Sequence, residues 1–598
     1  MPLATRSLPV ARVDIDTPMP PPHWALLERQ LLDAVADAGE AFYDRYFDAR
    51  GFVECVAHWG ALDGADDAAE NVASFTDAYA LGGSERLLQL WRQGFEGHLR
   101  QYTAAKTTEA TASRDGMYYK EFPTSFDWLH NAEGFHSLFQ QGLCEPRDRT
   151  FVERMERFAR FYITDDPAEG APAEPNYDPK HNILRSVLNG SRGPTLPRAS
   201  TADWAGDSFP DGRFVPMRGH RGYGDYARHF ETYLDVAGDV PLNLAVTALP
   251  LQAYLATGDS VYRDWLARYG GGWAERAAAN DHIIPGNVGL DGVVGSAFDG
   301  RWWMGVGSWG HRRPIIPFTP EMPLKFGTNF LYRTHYAFAN AMLVTRDMGY
   351  VHTWGRMLDA INSLARVEGD TTRYPHAHDD NGWTDYRDMP FSAGALHVYY
   401  WTQRPEDRAR VADLPWVKFL GGEDPGYPER RLLGELEELR RRMQVVAADD
   451  VPADIRMSED PNALNPVEMS WALVELMQGG IASRHVGVPW HVCVRYFDPV
   501  RRRAGIPEDV ASLVDRLSAD RVELTLVNLD PLRPRELVLQ AGAYGEHTIR
   551  AATVGAGTEP VAVADRALRV SLAPGAGARI CLDVDRYCND PTLAFPWR

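Results

Sequence analysis

The stretch MYYKEFPTSFDWLHNAEGFHSLF, which begins at Met117, brings acid–base and aromatic side chains together in one short run. Tyrosine, histidine and glutamate can transfer protons, and aromatic rings offer flat apolar faces to a ligand. If the second half of the stretch is helical, residues four apart share a face. The alternative is a capped helix whose polar side chains bind neighbouring loops. The predicted catalytic residues are Tyr119, His130, Asn131 and Glu133, and the predicted substrate-binding residues are Tyr118, Lys120, Asp127 and Trp128.

A second polar group lies in NYDPKHNILRSVLNGSRGP, which begins at Asn176. His181, Arg185 and Asn189 are spaced by four, which predicts one face of a helix. Arginine binds carboxylates in a bidentate geometry, so an acidic ligand suits Arg185. We assign catalysis to His181 and Arg185 and substrate binding to Asn189 and Arg192. The alternative is a loop held by structural arginine hydrogen bonds.

The glycine-rich stretch GNVGLDGVVGSAFDGRWWMGVGSWGHRRP, from Gly286, is a third candidate. Glycines let the backbone approach a ligand closely, and tryptophan faces can stack on a sugar ring. The glycines do not follow the spacings of nucleotide-binding loops. The alternative is that the tryptophans only pack. The predicted substrate-binding residues are Trp302, Trp303, Trp309, His311 and Arg312.

RYPHAHDDNGWTDYRD, from Arg373, contains a His-x-His pair followed by aspartates. In an extended strand the two rings lie on one side, so His376, His378 and Asp379 are the predicted ligands of a structural divalent metal. The alternative is a solvated loop, and no cofactor is required by the prediction. The last catalytic candidates, Tyr332 and His335, are spaced i, i+3 in FLYRTHYAFAN and share a helix face.

The elements that must position these residues are mainly helices from Trp24 to about Arg440. WALLERQLLDAVADAGEAFYDRYF and HTWGRMLDAINSLARV are examples of apolar residues at i, i+3, i+4 and i+7. AYALGGSERLLQLWRQGFEGHL resembles AYLATGDSVYRDWLARYGGGWA, and each predicts a helix that ends at Gly83 or Gly258 and a second helix that starts at Ser or Asp. This repeated hairpin is the unit of an α/α toroid. The alternative is two unrelated hairpins.

The pattern changes after about Gly480. WHVCVRYF, RVELTLVNL and ALRVSLAPGAGARICLDVD alternate apolar and polar residues, and glycine, proline and aspartate separate them. The predicted domains are therefore a toroidal catalytic domain at 1–450, a linker or last helix at 451–484, and a β-sandwich domain at 485–598.

This order of domains resembles the toroidal polysaccharide lyases and the α/α-barrel glycoside hydrolases with a C-terminal β-sandwich. The resemblance is architectural and spans the whole chain. It implies a mainly α, multidomain fold: an α/α toroid, as a complete or incomplete barrel of helical hairpins, followed by an antiparallel β-sandwich module. It also implies a carbohydrate-active enzyme.

Two reactions compete within that class. β-Elimination from a uronate needs a group that neutralises the carboxylate, a base and an acid, and the tyrosines, histidines and arginines above provide them. Inverting hydrolysis needs two carboxyl groups about 6.5–9.5 Å apart, which Asp127, Glu133, Asp379 or Asp385 would supply. The arginines beside the aromatic clusters favour the lyase. The third alternative is a non-catalytic carbohydrate-binding protein.

Composition limits the partners. The 598 residues carry a formal net charge of −20, which argues against nucleic acid and membrane as partners because both require a basic face. The expected partner is an acidic oligo- or polysaccharide. The N-terminus contains no apolar segment typical of a signal peptide, so we expect a cytoplasmic location.

Overall fold

The computed structural model describes residues 11–55, 65–105, 128–163, 177–187, 236–305, 309, 331–483, 488–555 and 559–597. Within these ranges the chain is mainly helical as far as Gln478 and β-rich from Val494, which confirms the predicted change of structure. The helices are α1 (His23–Tyr46), α2 (Ala65–Glu70), α3 (Ala73–Leu81), α4 (Glu85–Ala105), α5 (Trp128–Cys144), α6 (Arg149–Ile163), α7 (Ala248–Thr257), α8 (Ser260–Ala279), α9 (Leu331–Thr345), α10 (Gly349–Asn362), α11 (Ala395–Thr402), α12 (Pro405–Ala409), α13 (Pro415–Leu420), α14 (Tyr427–Ala448) and α15 (Trp471–Gln478).

Strands are sparse in the helical part and dense after it. The strands are β1 (Arg12–Ile15), β2 (Tyr177–Asp178), β3 (Ile183–Leu184), β4 (Ser186–Val187), β5 (Val236–Gly238), β6 (Arg366–Glu368), β7 (Thr371–Arg373), β8 (Ala377–Asp379), β9 (Gly382–Thr384), β10 (Val494–Asp498), β11 (Arg503–Ala504), β12 (Val510–Leu517), β13 (Arg521–Asn528), β14 (Arg535–Ala541), β15 (Thr548–Val554), β16 (Val561–Asp565), β17 (Ala567–Leu572) and β18 (Gly577–Asp585). Short 3-10 helices cover Pro241–Thr247, Ser296–Phe298, Ala453–Ile455, Asn462–Leu464 and Pro466–Ser470.

The two similar sequence segments both form helical pairs, as predicted. Helix α7 ends at Gly258, whose φ of 74° is left-handed, and the Asp259 carboxylate accepts the backbone N–H of Val261 at 3.1 Å. Helix α3 ends one residue before the predicted glycine, at Gly82 with φ 118°. The two pairs thus use the same C-cap, because only glycine adopts these angles without strain.

Contacts between the described helices form a series. Helix α3 packs on α5, α5 on the 3-10 helix Pro241–Thr247, and that helix on α9. Side chains of α9 contact those of α11. At the other end of the series, the 3-10 helix Pro466–Ser470 contacts α3. Helices α4, α6, α8 and α10 each contact the preceding helix of their pair. We call the helices of this series, α3, α5, α9, α11 and the 3-10 helix Pro241–Thr247, the inner helices. Every residue of α3 is buried, including the polar Ser74, Thr76 and Asp77.

The β-rich region consists of two five-stranded sheets. Their strand orders are β1-β17-β14-β10-β11 and β12-β13-β18-β15-β16. All pairings in them are antiparallel except that of β1 with β17. Residues 12–15 lie within the range predicted for the helical domain. In the structure they form an edge strand of a sheet whose other strands come from the C-terminal part of the chain.

Two arginines of the β-rich region, the buried Arg503 and the partly exposed Arg586, hold the C-terminal ends of α3 and α11. Arg503 donates to the Tyr79 and Gly83 carbonyls at the end of α3. Arg586 donates to the Tyr400 carbonyl at 2.8 Å and the Trp401 carbonyl at 3.2 Å, at the end of α11. A cation at this position satisfies carbonyls that the helix leaves unpaired and interacts favourably with its dipole. None of the described helices has the length and apolar composition of a membrane-spanning segment.

Candidate functional site

Many of the predicted site residues lie outside the described residues. These are Tyr118, Tyr119, Lys120, Asp127, Asn189, Arg192, His311 and Arg312. For others the structure gives only a position near the start of a helix: Trp128, His130, Asn131 and Glu133 in α5, and Tyr332 in α9. Their roles remain predictions. The remaining candidates can be placed.

His335 belongs to a group of aromatic side chains on two inner helices and one connecting segment. Helix α9 carries His335 and Tyr336, helix α11 carries His397 and Trp401 one turn apart, and His491 follows α15. We call these five residues the histidine cluster. The His335 ring lies 4.5 Å from that of His397 between centroids, and the His491 ring lies 5.7 Å from that of Tyr336.

Two hydrogen bonds order the histidine cluster. The Tyr336 hydroxyl and His397 Nε2 are 2.5 Å apart, and the Trp401 indole N–H donates to His491 Nδ1 at 3.2 Å. His335, Tyr336 and His491 are buried, whereas His397 is partly exposed. A tyrosine hydrogen-bonded to a histidine is an arrangement that can transfer a proton.

Burial controls the charge of the histidine cluster. It lowers the pKa of His397 and of His491 to about 3, and for His491 the neighbouring His397 adds to the effect. Both rings are therefore neutral at neutral pH. A bound anion would stabilise the protonated form of a nearby imidazole and raise its pKa.

The segment before α11 fits closely around the cluster. Gly394 has φ 71°, and a side chain there would begin 2.8 Å from the Trp354 indole nitrogen and 3.0 Å from the His335 ring. The Asn362 side chain holds Phe391 by two hydrogen bonds, of 2.8 and 3.0 Å, to its backbone. The indole of Trp354 donates to the Ala393 carbonyl at 2.7 Å. Together these contacts fix the entry into α11 and so the position of His397.

A second aromatic group is linked to Phe391 through Trp309, which packs against both Phe391 and Trp383. Trp302 and Trp303 come from the glycine-rich loop, and His378 and Trp383 from the hairpin of β8 and β9; we call these four residues the tryptophan cluster. His378 lies 4.9 Å from Trp302, 4.6 Å from Trp303 and 5.2 Å from Trp383 between ring centroids. All four side chains are partly exposed. Partly exposed indoles provide flat surfaces on which a sugar ring can stack.

Trp309 has a structural position. It is fully buried, donates its indole N–H to the Ile284 carbonyl at 2.7 Å, and packs against Trp383 and Phe391. Trp309 therefore stabilises the tryptophan cluster by packing against Trp383. Because its side chain is fully buried, this arrangement gives no support to the predicted contact of Trp309 with substrate.

The second predicted group does not form a helix. Residues 177–187 contain strands β2, β3 and β4, so the prediction that His181 and Arg185 share one face of a helix is wrong. Spacing by four does not by itself specify a helix, and Asn182 has a φ of 51°, which an α-helix does not allow. The Arg276 guanidinium donates to the His181 and Asn182 carbonyls, at 2.7 and 3.0 Å. Hydrogen bonds from an arginine thus hold this loop, which agrees with the alternative interpretation of a loop held by structural arginine hydrogen bonds.

The predicted metal ligands do not converge. His376 Nε2 lies 3.0 Å from the Met389 carbonyl, and His378 is surrounded by indoles. Among the residues that the structure describes, no three His, Cys, Asp or Glu side chains are placed to hold a metal ion. The His-x-His pair belongs to a hairpin that forms part of the aromatic packing.

Sequence reasoning missed His397 and His491. Both lie in apolar surroundings, GALHVYYW and VPWHVCV, where a histidine is easily interpreted as a core residue. A signal was present in GALHVYYW, because His397 and Trp401 are one turn apart and follow a glycine that starts the helix.

The sequence matches one family model, that of "Domain of unknown function (DUF8034)", over residues 12–415. The curated proteins give no significant match. Three solved structures are similar to the chain at 11% identity each. Cellobiose 2-epimerase from Bacillus thermoamylovorans B4167 has a TM-score of 0.34, with 72% of this chain and 95% of that chain covered. A sugar epimerase from a ruminal bacterium has 0.34, with 74% and 98% covered. Ara127N-Se, a GH127 β-L-arabinofuranosidase from Geobacillus stearothermophilus T6, has 0.27, with 95% and 81% covered. At these TM-scores the similarities establish neither the fold nor the activity of this chain.

Proposed function

The chain belongs to the DUF8034 family of domains of unknown function, and we propose that it is a carbohydrate-active enzyme that cleaves a uronate-containing oligo- or polysaccharide by β-elimination. The hydrogen bond of 2.5 Å between Tyr336 and the partly exposed His397 is the observation that carries this proposal. Elimination needs a base that removes a proton from carbon and an acid that protonates the leaving oxygen, and a tyrosine bonded to a neutral histidine supplies both. The series of helical pairs, in which the second helix of each pair contacts the first, supports the α/α toroid that this class of enzyme uses.

The reaction begins at the C5–H bond of the uronate. The phenol proton of Tyr336 passes to His397 Nε2 as the tyrosine oxygen takes the C5 proton. The electron pair of the C5–H bond becomes the C4=C5 double bond, and the C4–O bond breaks with its own pair. The leaving oxygen takes the proton from Tyr336, and His397 then returns the first proton to the phenolate. Protons and electrons balance, so no further reactant is needed.

The substrate itself assists the base. A histidine with its pKa lowered to about 3 by burial is a weak proton acceptor. The carboxylate of a bound uronate stabilises the imidazolium and raises the pKa of His397 towards the neutral range, where a general base is most effective. Arg185 and Asn131 remain the predicted partners that neutralise that carboxylate, and Tyr119 and Tyr332 the predicted alternative bases.

The tryptophan cluster provides the sugar-binding surface in this proposal. Trp302, Trp303 and Trp383 come from two separate loops and expose part of their rings at one place. Segment 389–394 connects the start of the β8–β9 hairpin with the histidine cluster: His376, which precedes β8, bonds to the Met389 carbonyl, and a side chain at Gly394 would meet the His335 ring. A saccharide stacked on the indoles would extend towards the Tyr336–His397 pair.

The test is the nature of the product. The full chain is incubated with polygalacturonate, alginate and a glucuronate-containing glycosaminoglycan, and each mixture is monitored by near-ultraviolet absorbance and by reducing-end formation. Elimination produces one unsaturated, absorbing end for each cut, so both signals should rise together. New reducing ends without absorbance, abolished by Glu133→Gln or Asp127→Asn, would assign inverting hydrolysis instead. Absence of cutting on all three polymers, with retained saccharide binding, would favour the non-catalytic binding protein.

A further inference from the structure

A backbone bridge holds His491 in place. The Ile481 N–H donates to the His491 carbonyl at 3.1 Å, which gives an antiparallel bridge between the two residues. Gly480 makes this possible, because a side chain there would begin 2.4 Å from the His491 carbonyl oxygen. The ring is 5% exposed. Its position in the histidine cluster is therefore fixed by backbone as well as by side-chain contacts.

The protonation of the ring follows from its partner. An indole N–H can only donate, so the bond of 3.2 Å from Trp401 makes His491 Nδ1 the acceptor. A neutral imidazole carries its one proton on the other nitrogen, and burial keeps this ring neutral. His491 therefore presents an N–H at Nε2.

This N–H has no partner in the part of the chain that the structure describes. Buried donors in folded proteins are almost always satisfied, and an exception needs an explanation. Here the ring stacks at an angle of 28° on Tyr336, whose hydroxyl bonds to the partly exposed His397. A ligand atom is the explanation that this setting favours, because the donor lies within the group proposed to move the proton.

We propose that the His491 Nε2–H donates a hydrogen bond to an anionic oxygen of the bound ligand, which, if the proposed function holds, is the uronate carboxylate. When the C5 proton leaves, negative charge accumulates on that carboxylate. A neutral, preorganised N–H in a dry site stabilises such charge without a change of its own protonation. Trp401 is the positioning residue that sets the tautomer.

The first test is spectroscopic and does not depend on turnover. In the full chain with ¹⁵N-labelled histidine, the His491 signals, assigned with His491→Phe, should show a neutral ring protonated at Nε2. D-Glucuronate should move the Nε2–H proton downfield, and D-glucose at the same concentration should not. A proton on Nδ1, or equal shifts with both sugars, would overturn the inference.

The second test uses variants in the elimination assay. His491→Phe keeps a buried ring and removes the donor, so kcat should fall by about 10²- to 10³-fold, as for loss of one oxyanion donor. Trp401→Phe keeps His491 and releases its tautomer, so it should lower kcat less and populate the Nδ1–H form in the ¹⁵N spectrum. Trp490→Phe, a neighbouring buried ring, is the matched control and should leave kcat near the wild-type value.

The two tests separate this inference from the proposed reaction. A glucuronate-dependent shift at His491 without any cleavage would support the inference and contradict the elimination. Cleavage that persists at the full rate in a folded His491→Phe variant would support the elimination and overturn the role of His491.

Discussion

Two buried polar groups on neighbouring inner elements, the Asp239 carboxylate and the histidine cluster, differ in how completely their atoms are bonded. Asp239 lies just before the 3-10 helix Pro241–Thr247, which packs on α9. Its oxygens accept the N–H groups of Leu184 and Val240, both at 2.9 Å, as well as the Asn243 side chain at 2.8 Å and the Tyr269 hydroxyl at 3.0 Å. In the histidine cluster, by contrast, the described residues leave His491 Nε2 without a partner.

The difference distinguishes a buried group whose hydrogen bonds are all made within the fold from a buried group that can still bond to a ligand. A carboxylate with a donor for each lone pair connects strand β3 to the inner helices, and it has no capacity left for a ligand. A histidine ring with one nitrogen fixed and the other unbonded has that capacity. Burial alone does not distinguish the two groups, because it raises the pKa of Asp239 to about 6 and lowers the pKa of His397 and of His491 to about 3. The number of atoms left without a hydrogen bond does distinguish them.

The largest effect should come from Tyr336→Phe. The change removes the hydroxyl bonded to His397 and keeps the ring that packs against His335 and His491. Loss of a general acid–base group lowers kcat by about 10²- to 10⁴-fold, and the melting temperature should change little. Initial rates of near-ultraviolet absorbance increase measure it.

Tyr350→Phe is the matched control, because it removes a tyrosine hydroxyl that bonds to the Ala267 carbonyl at 3.1 Å, in the contact between α10 and α8. It should keep the wild-type kcat. If Tyr336→Phe retained activity while Tyr119→Phe or Tyr332→Phe lost it, the histidine cluster would not be the site of proton transfer.

The sequence predicts the helices that carry the candidate site better than it predicts which elements lie next to each other in the fold. Periodicity identifies α9 around His335, because apolar residues recur at helical spacing, and the caps at Gly258 and Asp259 follow from local chemistry that a short segment contains. Strand β1 is different: Arg12–Ile15 pairs with β17 across most of the chain, and no local pattern specifies that partner.

The same limit explains the residues missed in the site. His397 and His491 approach Tyr336 only because α9, α11 and the residues around His491 are adjacent in the folded chain. The wrong helix at His181 has the opposite cause. There the spacing of four favours a helix, but the turn between β2 and β3, in which Asn182 has a positive φ, prevents one.

Asp239→Ala should test the structural side of the comparison. It leaves the N–H groups of Leu184 and Val240 and the Asn243 amide buried without their acceptor, at a cost of about 2–4 kcal/mol in the free energy of unfolding. Urea unfolding followed by tryptophan fluorescence measures this. At a temperature where the variant is folded, kcat should stay within a few-fold of the wild-type value.

Asp291→Ala provides the exposed counterpart. Its carboxylate also accepts hydrogen bonds, from the Ser296 hydroxyl at 2.6 Å and the Val293 N–H at 3.0 Å, but in contact with solvent. Its effect should be about 0.5 kcal/mol or less. A folded Asp239→Ala variant without activity would place Asp239 in the active site and remove the contrast.

The last prediction concerns acid stability, where the two groups act in opposite directions. Burial raises the pKa of Asp239 to about 6, above about 3.9 in the unfolded chain, so between these values the folded state binds the extra proton and stability rises as the pH falls. Burial lowers the pKa of His491 to about 3, below about 6.5 in the unfolded chain. There the unfolded state binds the extra proton, so stability that is present above pH 6.5 is lost as the pH falls towards 3.

The contribution of His491 can therefore be isolated by its slope. A single buried imidazole adds up to about 1.4 kcal/mol of unfolding free energy per pH unit within its window. His491→Phe should flatten the dependence of that free energy on pH between about 4 and 6 by this amount. Trp490→Phe removes no titratable group and should leave the slope unchanged, whereas Asp239→Ala should steepen it, because it removes the opposing carboxylate. An unchanged slope in His491→Phe would mean that the folded protein admits a proton to this ring, and the dry, neutral donor inferred for the site would be excluded.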